Sequence, residues 1–247
     1  MVNRLKEAYN SRGGGIAALV IVGIVVVVVV ISIILAFADP KDPETAPENP
    51  TVPPTSSSPA PSNPEKGGVC NVPAGNMSLR PESPSDLRWE VKNGWTWPVS
   101  DSLGPTKETE GHPTCFARSP LGAGLFLTSV MNESWTDEKS VNSVLAFYMA
   151  DQEGKNFIQK QESQSSDVKQ MKASGWSNAG FRVEYFTENE ATISMVLSAP
   201  NTETGYAGIQ MDLVWVNDDW RLDSKQFMTP AGASPEIEPG SFTEWAE

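Results

Sequence analysis

Two cysteines and a single histidine make up the thiol and imidazole inventory of this 247-residue chain. Cys70 and Cys115 both lie past an aliphatic block near the start, so they share one compartment. An even pair in an oxidising compartment reads as one disulfide. Closing a loop of about 45 residues contributes on the order of 4 kcal/mol in the chain-entropy model. A redox-active pair would call for Cys-x-x-Cys spacing, which these two do not have. His112 stands between Gly111 and Pro113, and a lone loop histidine reads as a bystander rather than a base. So small a set excludes a multi-cysteine zinc module and a histidine-rich metal site. The sequence contains no Gly-x-Ser-x-Gly elbow, no Walker loop and no His-Glu-x-x-His. Asn76-Met77-Ser78 and Asn132-Glu133-Ser134 have the form of glycosylation sequons, a pattern common by chance.

The charge balance sets further bounds. The chain carries 31 acidic and 18 basic residues, a formal net charge of -13. Phosphate binding needs clustered Lys and Arg, so a broad nucleic-acid surface is excluded. Past the apolar block the excess of acid is larger still, because Arg4, Lys6 and Arg12 all precede it.

That block positions everything else. Ile16 to Ala38 has no charged residue and includes six consecutive valines, Val25 to Val30. At about 1.5 Å per residue it spans roughly 35 Å, enough to cross a hydrocarbon core of about 30 Å with some tilt. Arg4, Lys6 and Arg12 before it and Asp39, Asp42 and Glu44 after it predict a cytoplasmic N-terminus over residues 1–15 and an extracellular remainder. The apolar core exceeds the usual signal-peptide length of about 7–15 residues, which favours a single-pass anchor in the cell membrane. Ala36-Phe37-Ala38 also fits a cleavage site, so a removed signal stays open as the alternative.

Residues 39–68 carry nine prolines and Val52 as their only large aliphatic. Such a stretch cannot bury enough surface to offset chain ordering, so a disordered tether is expected, reaching up to roughly 90 Å. Residues 69–115 are expected to form an irregular arm, bounded by the cysteines and anchored by Trp89, Trp95 and Trp97.

Beyond Cys115 the pattern becomes regular. A helix is expected over Pro120 to Met131. A second is expected after Thr136 as N-cap, with Val141, Val144, Leu145, Tyr148 and Met149 forming one buried stripe. Gly154 is expected to break that helix. Lys155 to Lys172 reads as a more polar helix closed by Gly175. From Gly180 the period changes to two. Phe181, Val183 and Tyr185, then Ala191, Ile193, Met195 and Leu197, then Ala207 to Trp215, then Trp220 and Leu222 read as four hairpin-linked strands. Each has one apolar and one solvated face, and the upstream helices are the available cover. The fold class is therefore α+β, with helices packed on an antiparallel sheet. Residues 228–247 read as a tail that Phe242 and Trp245 can pin back.

Val214-Trp215-Val216-Asn217-Asp218-Asp219-Trp220-Arg221-Leu222, at the end of a meander that follows helices, resembles the closing hairpin of the nuclear transport factor 2-like superfamily. The resemblance covers residues 116–227 and implies a curved sheet wrapped as a cone. The layout of basic terminus, anchor, Pro-rich tether and exported domain is similar to TcpC-like conjugation proteins and type IV secretion assembly factors. Trp97-Pro98-Val99-Ser100, Gly104-Pro105, the run from Cys115 to Pro120, and Gly122-Ala123 resemble anchored proteins of actinobacterial mobile elements.

Some cone folds are enzymes that place an Asp or a Tyr–Asp pair in the pocket, and Tyr148, Tyr185, Tyr206, Asp151 and Asp212 are the nearest candidates here. Tyr148 and Tyr185 fall on apolar faces and read as core, whereas Asp212 falls on a polar face and reads as solvated. No catalytic, cofactor-binding or metal residue is therefore assigned. The resemblance implies a non-enzymatic structural subunit of a conjugation or secretion-type membrane complex, with other membrane proteins as partners and homo-oligomers as an option. An exported ligand- or lipid-binding module is the alternative, and a cone-fold enzyme comes third.

Overall fold

A computed structural model describes residues 70–136, 141–161, 168–228 and 236–246. The expected anchor over 16–38 and tether over 39–68 lie outside the described residues. Among the described residues, no helix is long and apolar enough to cross a membrane.

The segment between the cysteines is not irregular throughout. It holds two antiparallel hairpins, β1 (Leu87–Lys92) with β2 (Trp95–Ser100) and β3 (Lys107–Thr109) with β4 (His112–Thr114). The β1–β2 turn is Asn93-Gly94, both at positive φ, the chemistry that a two-residue hairpin loop demands. Of the prolines that suggested irregularity, Pro73, Pro81 and Pro84 precede β1 and Pro105 lies between the hairpins, whereas Pro98 and Pro113 sit within β2 and β4 and pair across their hairpins.

Helix α1 (Pro120–Thr136) runs a turn longer than expected, and nearly every residue of it is buried. A helix covered on all sides must be the centre of the domain. Thr136 does not cap the next helix. Its hydroxyl donates back to the Asn132 carbonyl at 2.7 Å, inside α1. Helix α2 (Val141–Tyr148) buries Val144 and Tyr148 of the expected stripe, with Met149 buried just beyond its end. Val141 and Leu145 are only half-buried, and Ala146, outside the stripe, is buried as well. The break that follows comes from Asp151, not Gly154. Asp151 is in extended geometry and caps α3 (Gln152–Gln159) by accepting the Gly154 amide at 2.8 Å. Gly154 lies within that helix because a Cβ there would meet Ser224 Cβ at 2.6 Å. The polar stretch is then two pieces, α3 and α4 (Val168–Ala173). Gly175 closes α4 at φ +82°, with its amide on Lys172 O and the Trp176 amide on Met171 O.

The meander follows as the alternation predicts: β5 (Ser177–Phe186), β6 (Glu190–Ser198), β7 (Tyr206–Val216) and β8 (Asp219–Leu222). A short helix α5 (Ser224–Met228) follows, and β9 (Thr243–Glu244) returns to the far side of β5. The sheet order is β8-β7-β6-β5-β9, antiparallel throughout. Asn217 and Asp218 form the β7–β8 turn at φ 55° and 65°.

One face of the sheet packs on α1. Phe181 lies against Gly124, where a Cβ would sit 2.6 Å from the ring. Leu125, Phe126, Tyr148, Ile193, Met195 and Trp220 are fully buried in this layer. Two features depart from simple alternation. The register of β5 on β6 shifts between Val183 and Tyr185, so Tyr185 faces Thr192 and is 51% exposed, not in the core as expected. The extra residue of a bulge reverses which face the following side chains occupy, and Phe186 takes the inner position against Trp220, with ring centroids 5.7 Å apart. The outer face is not wholly solvated either. Ile237 and Phe242 cover Val196 and make a second small core there. The tail also delivers Trp245, stacked on Phe181 at 4.8 Å.

Candidate functional site

The disulfide forms as expected. Cys70 and Cys115 are bonded, with their Cα atoms 5.1 Å apart. The β7–β8 turn clasps both of them. Asp218 Oδ2 accepts the Cys70 amide at 2.9 Å, and Asp219 Oδ2 accepts the Cys115 amide at 2.9 Å. Asp219 Oδ1 takes the amides of Phe116 and Trp220, both at 3.0 Å, and Arg221 supplies a guanidinium N–H to Oδ2 at 2.9 Å. Asp219 is almost fully buried, and a buried carboxylate is tolerated when its lone pairs are filled and its charge is paired. The Trp220 indole then donates to Ala117 O at 3.0 Å, which fixes the start of α1 to the same turn.

A second polar centre lies under β4. His112 is not a loop bystander. It is a strand residue only 7% exposed, stacked on Phe147 with centroids 4.0 Å apart. Its Nδ1 is 2.7 Å from Glu133 Oε1, close enough for an ion pair when the imidazole is protonated, although not aligned as a hydrogen bond. The Tyr148 hydroxyl donates to Glu133 Oε2 at 2.7 Å, with Pro113 O as a second acceptor in reach at 2.9 Å. Burial pushes the Tyr148 phenol far up, and the Glu133 charge and its hydrogen bond add to that, so the phenol stays neutral.

A third centre joins β2 to α1 and β5. The Asn132 side-chain oxygen accepts from the Trp95 indole and from Asn178 Nδ2. Asn178 Nδ2 also reaches Thr96 O, and Asn132 Nδ2 reaches Thr128 O. Asn132 is fully buried, so the sequon at 132–134 is inaccessible in the folded chain.

The five residues considered for a cone pocket do not converge. Tyr148 is in the second centre. Asp151 caps α3 and accepts the Ser224 hydroxyl, and its carboxyl lies below the ordinary range because the Gly154 amide and that hydroxyl favour the anion. Asp212 accepts from Thr192 Oγ1 at 2.7 Å on the outer face, and Tyr206 meets Phe242 at 5.0 Å. Tyr185 and Asp212 border a surface groove of about 280 Å³, and a smaller cleft of about 160 Å³ lies between Leu79, Phe181 and Phe242. Among the described residues, no group of three His, Cys, Asp or Glu is arranged for a metal ion.

Sequence reasoning missed Glu133, Asp219 and Asn132. Glu133 carried a signal: it is the one charged residue in a helix that is otherwise apolar or small. Asp219 carried none beyond its turn, because the Cys115 and Phe116 amides it accepts lie over a hundred positions away.

Residues 49–243 match the family described as a domain of unknown function, DUF8175. The chain belongs to this family. Among the described residues, the DUF8175 match takes in both hairpins, the helices α1 to α5 and the strands up to Thr243 in β9, so the arm and the closing strand fall within one family unit with the meander. Comparison with curated proteins and with solved structures gave no match.

Proposed function

We propose that this DUF8175 chain is a non-enzymatic structural subunit of a conjugation or secretion-type membrane complex. In this reading it is held by the single-pass segment at 16–38, and its α+β domain, a nuclear transport factor 2-like cone over 116–227, stands outside the cell. One observation carries the structural reading. The space between sheet and helices is taken up by α1 and by Tyr148, Met195 and Trp220, and the buried polar groups bond one part of the chain to another. A ligand-binding module needs a chamber of roughly 300–1,000 Å³ lined for its guest. A filled interior suits a domain that presents a rigid surface. Two bulges in β5 support a curved sheet, because bulges bend strands and raise their twist.

The test is affinity isolation of the full chain from gently solubilised membranes of its native host. Further membrane proteins in fixed proportion, with the C-terminal domain cut by protease added outside intact cells, is the expected result. A chain that comes out of the membrane alone as a monomer, or that is shielded from external protease, would sink the reading.

A further inference from the structure

The preceding chain is joined covalently to the described domain at Cys70. Its sulfur is bonded to Cys115, and its amide to Asp218. Cys115 and Phe116 give their amides to Asp219, and Phe116 is fully buried four residues before α1 begins. The arm between the cysteines reaches the rest of the domain through other contacts. Trp95 bonds Asn132, Thr96 O bonds Asn178, and Pro81 O takes the Thr243 hydroxyl at 3.0 Å. A covalent path therefore runs from the preceding chain into the central helix without passing through residues 71–114. Without the disulfide, the same pull would enter the arm and reach two-stranded hairpins, which are marginal units in isolation.

We propose that the disulfide and the Asp218–Asp219 turn form a load-transfer node. Tension along the tether passes through Cys70 and Cys115 into α1 and the β7–β8 hairpin together, and the arm stays folded as a loop that carries none of it. The source of tension rests on the tethered-subunit reading. The node itself is a property of the isolated chain, so its test is independent of any complex.

The experiment is single-molecule force extension of the full chain, with handles at its two ends. It is run on oxidised molecules and then on the same folded molecules after a phosphine reductant is added. The oxidised chain is expected to unfold without an early event from the arm. After reduction an added event at lower force is expected, lengthening the chain by about 150 Å, which is the 45-residue separation of the cysteines at about 3.3–3.6 Å each. If the reduced chain unfolds in one step at the oxidised force, the proposal is overturned. Asp219→Asn in the oxidised chain is expected to lower the main unfolding force, and an unchanged force removes the turn from the node. Reduction after folding removes the bond without requiring a cysteine variant to fold. Co-isolation of membrane partners is a separate readout, so loss of the node and loss of the complex are told apart.

Discussion

Asp219 accepts the backbone amide of Cys115 at 2.9 Å although the two residues are 104 positions apart and Asp219 is 1% exposed. Three amides and one guanidinium converge on this carboxylate. Removing it leaves all of them without their acceptor, and breaking a buried pair costs about 3–5 kcal/mol. Asp219→Ala is therefore expected to destabilise the domain by about that much. Asp218→Ala, which gives up one partly buried bond, is expected to cost about 1 kcal/mol. Urea titration ranks the two, and equal midpoints would remove the distinction.

The disulfide closes a separation of 45 residues. Reduced protein is expected to be less stable than oxidised protein by about 4 kcal/mol in the chain-entropy model. The check is the denaturation midpoint with and without reductant. Coincident curves would show that the noncovalent clasp alone determines stability.

Tyr148 makes the fold sensitive to base. Its phenol is raised by burial, by the Glu133 charge and by the bond to Glu133, so the folded state holds the proton more tightly than the unfolded state. That contribution is fully present below the unfolded value of about 10 and is lost as pH rises above it. Tyr148 is expected to ionise only with unfolding, read as phenolate absorbance against circular dichroism. Tyr148→Phe should abolish the coupled step and cost about 1–2 kcal/mol at neutral pH.

Asp151 acts at the other end of the scale. Its carboxyl is lowered by the Gly154 amide and the Ser224 hydroxyl, so it stabilises the fold above its unfolded value near 4, and that stability is lost as pH falls through the folded value. Asp151→Ala is expected to cost about 1 kcal/mol at pH 7 through the lost cap, with a smaller difference near pH 3. Thermal melts at the two pH values measure it, and a pH-independent difference would contradict the assignment.

The bulge in β5 makes neighbouring aromatics unequal. Tyr185→Ser is expected to change stability by no more than about 0.5 kcal/mol, because the ring is half exposed. Phe186→Ala, which opens space beside Trp220, is expected to cost about 2 kcal/mol or more. A larger loss at Tyr185 would mean that the faces are assigned the wrong way round.

Local chemistry was legible along the chain. The period of two over 181–222, the Asn217-Asp218 turn and the stripe through Val144 and Tyr148 are short-range signals, and the strands and α2 lie where those signals place them. The pairing of Cys70 with Cys115 needed only the count of cysteines. What the sequence could not carry was the partner of each buried polar group. Glu133 meets His112 and Tyr148, and Asp219 meets Cys115, because three remote segments close on one helix. Tyr185 turned outward because a single bulged position reverses a strand's faces, and a period-two pattern does not register one extra residue. The return of β9 to β5, with Trp245 on Phe181, was likewise a decision of packing, since two paired residues are too few to leave a periodic trace.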